Sequence, residues 1–285
     1  MEYKEDFLGQ DFLIKLPKLV NETKDSALNN GKVYGFTHYS LVMNEETKCA
    51  IYTAHNIDQS TRKYGLKRRR WWFDERIGRE NQVGDEVYKE LDYADEWDRG
   101  HLVRRLAINW GDREIAKQAN YDSFCFANAS IQHENFNQDE WLALEDYILN
   151  FSEDNNDKLN VFTGPLYTKN DRCLGNAKIP SAFWKIIFFV DKNHKLQSRA
   201  FLMKQDPFWF DKDGSKFLNL KRYQVTINEI SRLTGIEWED YIYDTNPLFY
   251  YEYDITREHG IETPERILIT SVDDIVIERE FYPVD

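Results

Sequence analysis

The sequence predicts an α+β fold: a mixed, mostly antiparallel sheet with flanking helices. Three observations carry this. Tyr39–Met43 and residues 49–55 are strand-like runs joined by the turn Asn44-Glu45-Glu46, the pattern of an antiparallel pair. Apolar runs of strand length recur at 158–163, 183–190, 197–203 and 222–226. Helical spacing is confined to a few segments. The clearest is 137–150, where Trp141, Leu144 and Ile148, with Leu149, follow intervals of three, four and seven.

Taken in order, residues 1–33 are polar and irregular, punctuated by Leu13-Ile14-Lys15-Leu16-Pro17. The hairpin at 39–55 follows, then a charged, loop-rich stretch over 57–97 and a short buried strand expected at 123–127. After the helix at 137–150 and its strands, Thr226 with Glu229 has capping-box spacing, opening a helix that stops near Gly235. Alternation at 266–270 and 275–277 predicts strand. No repeat and no Gly/Ser- or Pro-rich linker divides the chain. The expected organisation is an N-terminal extension (1–33), one central domain (34–244) and an acidic C-terminal extension (245–285) packed on or near it.

Composition excludes several classes. With 285 residues, 41% hydrophobic and 15% aromatic, the chain buries a core without staples and is not disordered. No apolar run reaches the roughly 18–20 residues of a bilayer span. The opening Met1-Glu2-Tyr3-Lys4-Glu5-Asp6 is neither a secretory nor a transit signal. Three cysteines without a C-x-x-C argue against a disulfide framework or a zinc knuckle and for a reducing, cytoplasmic setting; Cys125 reads as buried and inert. The net charge of −13 opposes a polyanion partner, but its distribution changes the argument, the acidic tail reading either as a solvated surface or as a partner surface or shield over a basic groove. Residues 236–285 hold 14 acids against three arginines, leaving the rest nearly neutral. Within that rest, Arg62 to Arg70 place six bases in nine residues, and Arg99, Arg104 and Arg105 flank His101.

Two segments carry chemistry. One is Asp98-Arg99-Gly100-His101; the other sets Asn128, Gln132, Asn137, Trp141 and Glu145 in register. On a helix Asn137, Trp141 and Glu145 share a face, with Asn137 and Glu145 roughly 12 Å apart along the axis. They are too far apart to ligate one small ion together, but Glu145 leans back and reaches an ion's water shell. That suits Mg²⁺, which keeps most of its waters. A neutral His activates water, and arginines hold a phosphate through its transition state. Asn137, with Glu140 three residues on, also reads as a helix N-cap. Trp141 reads as core, and His38, His55, His133, His194 and His259 as structural or exposed.

At these residues the sequence resembles the DNA/RNA non-specific endonucleases of the ββα-metal type. The DRGH tetrapeptide and the N-x3-Q-x4-N-x3-W-x3-E run match that family's signature, as do Thr163-Gly164-Pro165-Leu166-Tyr167, Ile179-Pro180-Ser181-Ala182-Phe183-Trp184-Lys185 and residues 226–235. The resemblance covers about 39–239. It implies a ββα-metal nuclease fold for 34–244, with His101 as general base, Asn137 as the direct ligand of one Mg²⁺ (Mn²⁺ being a substitute) and Glu145 binding that ion's waters. It further implies Asn128 as an active-site amide, Arg99 lining the site and Arg69 on phosphate, with Arg68 or Arg70 as alternatives to Arg69. Asp98 reads as structural. Where members often carry an arginine four residues after the glutamate this chain has Leu149, so either one phosphate clamp is missing or Arg104 or Arg105 replaces it.

The function expected is an Mg²⁺-dependent endonuclease without sequence specificity, cutting DNA, RNA or both and leaving 5′-phosphates. The alternatives are a phosphodiesterase on a small nucleotide and an inactive nucleic-acid-binding or assembly module. Such a nuclease needs restraint, so a regulatory partner or homo-oligomer is expected, as in a defence or cell-death effector.

Overall fold

The structure is a computed structural model that describes residues 2–89, 96–154, 157–205, 222–248 and 266–276. The principal strands in chain order are β1 (Val33–Phe36), β2 (Tyr39–Met43), β3 (Ala50–Asp58), β4 (Trp97–His101), β5 (Ala129–His133), β6 (Lys158–Leu166), β7 (Ala182–Val190), β8 (Leu196–Lys204), β9 (Arg222–Val225) and β10 (Arg266–Leu268). The principal helices are α1 (Arg113–Asp122), α2 (Leu142–Asp154) and α3 (Ile227–Thr234). Eight strands form one antiparallel sheet in the order β10-β9-β8-β7-β6-β3-β2-β1, while β4 and β5 pair as a separate ribbon. This is the expected α+β architecture.

The central strands are apolar on both faces because both are covered. Along β7 alternate residues enter different cores: Trp184, Ile186 and Phe188 pack with Tyr52, Ala54, Phe162 and Leu202, whereas Ile187 and Phe189 pack with Leu159, Val161 and Phe201. Tyr3, Ile14, Ile227, Ile230 and Trp238 cover the first face, and Ile148 and Leu149 of α2 cover the second. Leu149 is therefore core, which accounts for its standing where an arginine was expected. The cap of α3 is as predicted at its first half: Thr226 accepts from the Glu229 N–H, while the Glu229 carboxylate is engaged by Arg266. Gly235 closes the helix at φ 65, where a Cβ would also press on Thr23 and the Val20 carbonyl.

Several local expectations are corrected. Residues 123–127 are not a strand. Their N–H groups continue the turns that follow α1, from Ser123 to Ala119 and from Cys125 to Asp122, and Phe126–Asn128 is a 3₁₀ turn. What reads as a strand is an apolar run clamped between Trp72 and Asn128, and the ladder starts one element later, at β5. The N-terminal stretch is more than irregular chain: Lys18–Leu19 pairs with Ile236–Glu237, a helix spans Asn21–Asp25, and Tyr3 and Ile14 are buried. In the 57–97 stretch, 90–95 lie outside the described residues, and the remainder holds the end of β3, two 3₁₀ turns and a short helix, Asp85–Lys89. Near the C-terminus Val272–Asp274 is a 3₁₀ turn, after which the Gln224 side chain brackets the backbone of Val276; Ile277 lies outside the described residues, as do 249–265 and 278–285. Among the described residues no helix is long and apolar enough to cross a membrane.

Candidate active site

β4 carries Asp98-Arg99-Gly100-His101 and pairs antiparallel with β5, with Asp98 opposite Gln132 and His101 opposite Ala129. Gly100 is dictated by this pairing, since a Cβ there would land on the Gln132 amide. From β5 the chain enters α2 through a π-helical turn, Phe136–Trp141. A π turn inserts one residue into the helical repeat and re-aims the side chains it carries. Here Asn137 Nδ2 and Gln138 Nε2 both donate to Asp98 Oδ2, at 2.8 and 2.9 Å. Two strands and a helix are thus joined by a DRGH carboxylate. Asn137 is not an N-cap, because the backbone is already helical at Asn135. With its N–H₂ held by Asp98, the acceptor that Asn137 can offer is its carbonyl oxygen.

His101 ends β4 among Trp71 and Phe124, with ring centroids 4.8 and 5.3 Å away. Its buried Nε2 has no hydrogen-bond partner among the described residues. Burial, then the charges of Arg68, Arg105 and Arg104, push its pKa down to about 3, so the ring is neutral at pH 7. Just beyond it, the Asn128 amide is committed to backbone: Oδ1 accepts from the Val103 N–H at 2.8 Å, and Nδ2 donates to Val103 and Ser123 carbonyls at 3.0 Å. Asn128 is fully buried and fastens the chain two residues past His101, so it does not face an open site.

Glu145 lies on α2 and is buried. Its Oε2 is 3.7 Å from Arg104 Nε, and its Oε1 is 3.6 Å from Lys185 Nζ. Burial raises the carboxyl pKa, and Lys185 and Arg104 oppose that rise. Lys185 is drawn down to about 8 by burial, against the pull of Glu145. Lys185 also sits 4.6 Å over the ring of Trp141, which packs with Phe136 and Phe183; Trp141 is core, as expected. Arg104 links the parts, since its charge acts on His101 while it pairs with Glu145 and, at 2.7 Å, with Asp146.

The other expected arginines divide. Arg99 turns from the helix to Asp85 and lies over the Tyr88 ring. Arg105 donates to the Leu66 carbonyl and to Asn120. In the basic run Arg68 to Arg70 are exposed, and the charge of Arg68 acts on His101. Two contributors escape sequence reasoning. Asp98 orients Asn137, and Lys185 enters the sequence reading only within the resemblance, although it is the one charged residue in the apolar run of β7 and that isolation is a usable signal.

The donor set fits a hydrated hard cation. Asn137 offers one carbonyl oxygen, and Glu145 Oε1 has no hydrogen-bond partner among the described residues. No group of three or more His, Cys, Asp or Glu is placed to hold a metal among those residues. The ion that suits this set keeps its waters.

Residues 20–245 match the family described as DNA/RNA non-specific endonuclease. The chain is 37% identical over 272 residues to "Uncharacterized protein y4fB" of Sinorhizobium fredii, a match covering 84% of this chain but only 39% of that protein. It is 29% identical over 205 residues to "Nuclease" of Serratia marcescens, covering 70% of this chain and 71% of the other. A crystal structure of the EndoG/EndoGI complex, titled for the mechanism of EndoG inhibition, superposes with a TM-score of 0.57 at 19% identity. That likeness, over 72% of this chain and 84% of that one, shows the shared fold.

Proposed function

This chain belongs to the DNA/RNA non-specific endonuclease family, and from that premise we propose that it is an Mg²⁺-dependent endonuclease that hydrolyses DNA, RNA or both without sequence specificity. The observation that carries the reading is His101: a neutral imidazole whose buried Nε2 is unpartnered among the described residues, in the field of three arginines. An anionic phosphate entering that field offsets the positive charge and raises the basicity of the ring. His101 then takes a proton from water as the water oxygen bonds to phosphorus. The P–O3′ bond breaks, leaving a 5′-phosphate and a 3′-oxygen that is protonated by solvent. Arg68 and Arg104 hold the phosphate and stabilise its added charge. Asn128 is a positioning residue that fixes the chain after His101, and Arg99, held by Asp85, braces the ribbon. Asn137 directly, and Glu145 through water, would hold Mg²⁺ or Mn²⁺. When bound, the ion would neutralise a phosphate oxygen and the departing alkoxide.

The exposed bases of residues 67–70, one of which acts on His101, favour a polymeric substrate over a small nucleotide, and the full set His101, Asn137 and Glu145 opposes an inactive module. Contacts to phosphate carry no sequence information, which supports non-specific cleavage. Restraint by an inhibitor or by self-assembly follows from the hazard of such an activity, and the structurally similar EndoG is inhibited in its complex with EndoGI. The N-terminal extension and the acidic C-terminal region are the segments we assign to that control. Supercoiled plasmid and RNA, each incubated with Mg²⁺ or EDTA and with wild type or His101→Ala, test the reading. Cleavage that needs both metal and imidazole is expected; undiminished cleavage by the variant excludes the mechanism.

A further inference from the structure

The loop from Arg62 to Trp72 combines a pinned backbone with exposed side chains at Tyr64 and at Lys67 to Arg70. The Lys63 N–H donates to the Asn109 carbonyl at 2.7 Å. Arg105 holds the Leu66 carbonyl at 3.1 Å, and Asn120 holds the Lys67 carbonyl at 3.0 Å. Trp72 exchanges both of its backbone bonds with Phe124 and Phe126. The body of the protein therefore fixes this loop through its main chain, at both ends and in the middle.

The side chains do the opposite. Lys67, Arg68, Arg69 and Arg70 are exposed, and Tyr64 is 68% exposed, with Arg62 lying 4.9 Å over its ring. Adjacent like charges repel, and an exposed aromatic contributes little to folding, so stability does not explain this surface. The loop ends at Trp71, which stacks near Phe126 at 5.7 Å and reaches His101 at 4.8 Å. A row of cations with an aromatic among them, held rigid and leading to the reactive imidazole, has the makeup of a strand-binding groove.

We propose that residues 62–70 are a track for a single nucleic-acid strand, with Tyr64 stacking on a base and Lys67 to Arg70 holding successive phosphates on the way to His101. The occupant is an unpaired strand rather than a duplex. A tyrosine face stacks on a base only where that face is open, whereas in a duplex the neighbouring pairs cover it. Phosphate contacts alone would hold either form and, per contact, would favour the more highly charged duplex. The track therefore favours single strands, or duplex that is locally unpaired at the point of cutting. This deepens the nuclease reading and rests on it for the chemistry at the end of the track, not for binding.

The test is fluorescence anisotropy of the full-length chain in EDTA at fixed salt, with a labelled single-stranded oligonucleotide and a hairpin duplex as probes. Wild type is expected to bind the single strand more tightly. Tyr64→Ala should weaken single-strand binding about tenfold and duplex binding less than twofold, with Tyr64→Phe restoring it. Tyr64 is exposed and belongs to no core, and an unchanged thermal midpoint checks that the variant folds. Arg69→Gln with Arg70→Gln should weaken both probes and flatten the salt dependence by about one unit for each phosphate no longer neutralised. Equal losses on both probes for Tyr64→Ala, no loss on either, or tighter wild-type binding to duplex each overturn the proposal. Plasmid cleavage by wild type with Mg²⁺ is scored separately: absent cleavage with Tyr64-dependent binding sinks the nuclease reading and leaves the track standing.

Discussion

The two faces of the central sheet are made by the same strands, one residue out of step, and they differ in kind. One face presents Tyr52, Ala54, Phe162, Trp184, Ile186 and Phe188 to the N-terminal segment and α3. The other carries a polar row: Thr53 pairs across to Thr163, and Thr163 to Lys185, with His55 alongside, beneath Glu145 of α2. His55 Nδ1, Thr163 Oγ1 and Glu145 Oε1 lie buried on this second face without hydrogen-bond partners among the described residues. Such groups cost stability wherever they are placed. Both faces bury an apolar core, but the face beneath Glu145 also accepts a penalty to hold charge in place.

The sharpest way to separate the faces is His101→Ala. Loss of a general base lowers the rate by about 10²–10⁴-fold, and initial-rate cleavage assays should show this with little change in thermal midpoint. Next is a matched pair, each expected to cost about 3–5 kcal/mol by urea titration. Trp184→Ala removes a fully buried ring, and Lys185→Met takes away one of the two cations that flank the buried Glu145 carboxylate, leaving Arg104. They should diverge in rescue: adding Glu145→Gln to Lys185→Met recovers most of the stability but not the activity. If the double variant stays as unstable as the single one, the buried pair does not explain the cost.

pH offers a third comparison. Burial lowers the pKa of His38 and His133 to about 4 and of His101 to about 3, and it lowers His55 as well. An unfolded histidine titrates near 6.5, so below that pH the unfolded chain binds more protons than the folded one. Stability is full above about pH 6.5 and falls as the pH drops toward 4, by as much as 1.36 kcal/mol per unit per histidine. Urea midpoints between pH 7 and 4.5 measure this, and His38→Gln should make the fall shallower. The smallest expected effect is on Asp98. Asp98→Ala frees the Asn137 amide and should raise the Mg²⁺ concentration for half-maximal cleavage about tenfold, the usual effect of removing a partner behind a metal ligand. An unchanged metal requirement would separate Asn137 from the ion.

Much of the fold was legible because its signals are local. The hairpin around Asn44, the apolar runs of β6 to β8, the Thr226 cap and the Gly235 stop each act within a few residues. The run 123–127 misled because a buried apolar segment clamped by a distant tryptophan and an asparagine looks like a strand in one dimension. In the site, residue types and spacing marked His101, Asn137 and Glu145. They could not show that Asp98 holds Asn137, that Asn128 is committed to backbone, or that the charge of Arg68 acts on His101.

By itself the sequence determined which chemistry this chain has to offer and where along the backbone strands and helices begin, because side-chain identity and local propensity need no distant partner. Only the tertiary structure decided who meets whom: Lys185 beneath Glu145, Arg104 between Glu145 and His101, and a basic loop fastened beside the imidazole. Ionisation is a property of surroundings, and burial with charges drawn from remote segments is what leaves His101 neutral and Lys185 within reach of losing its proton.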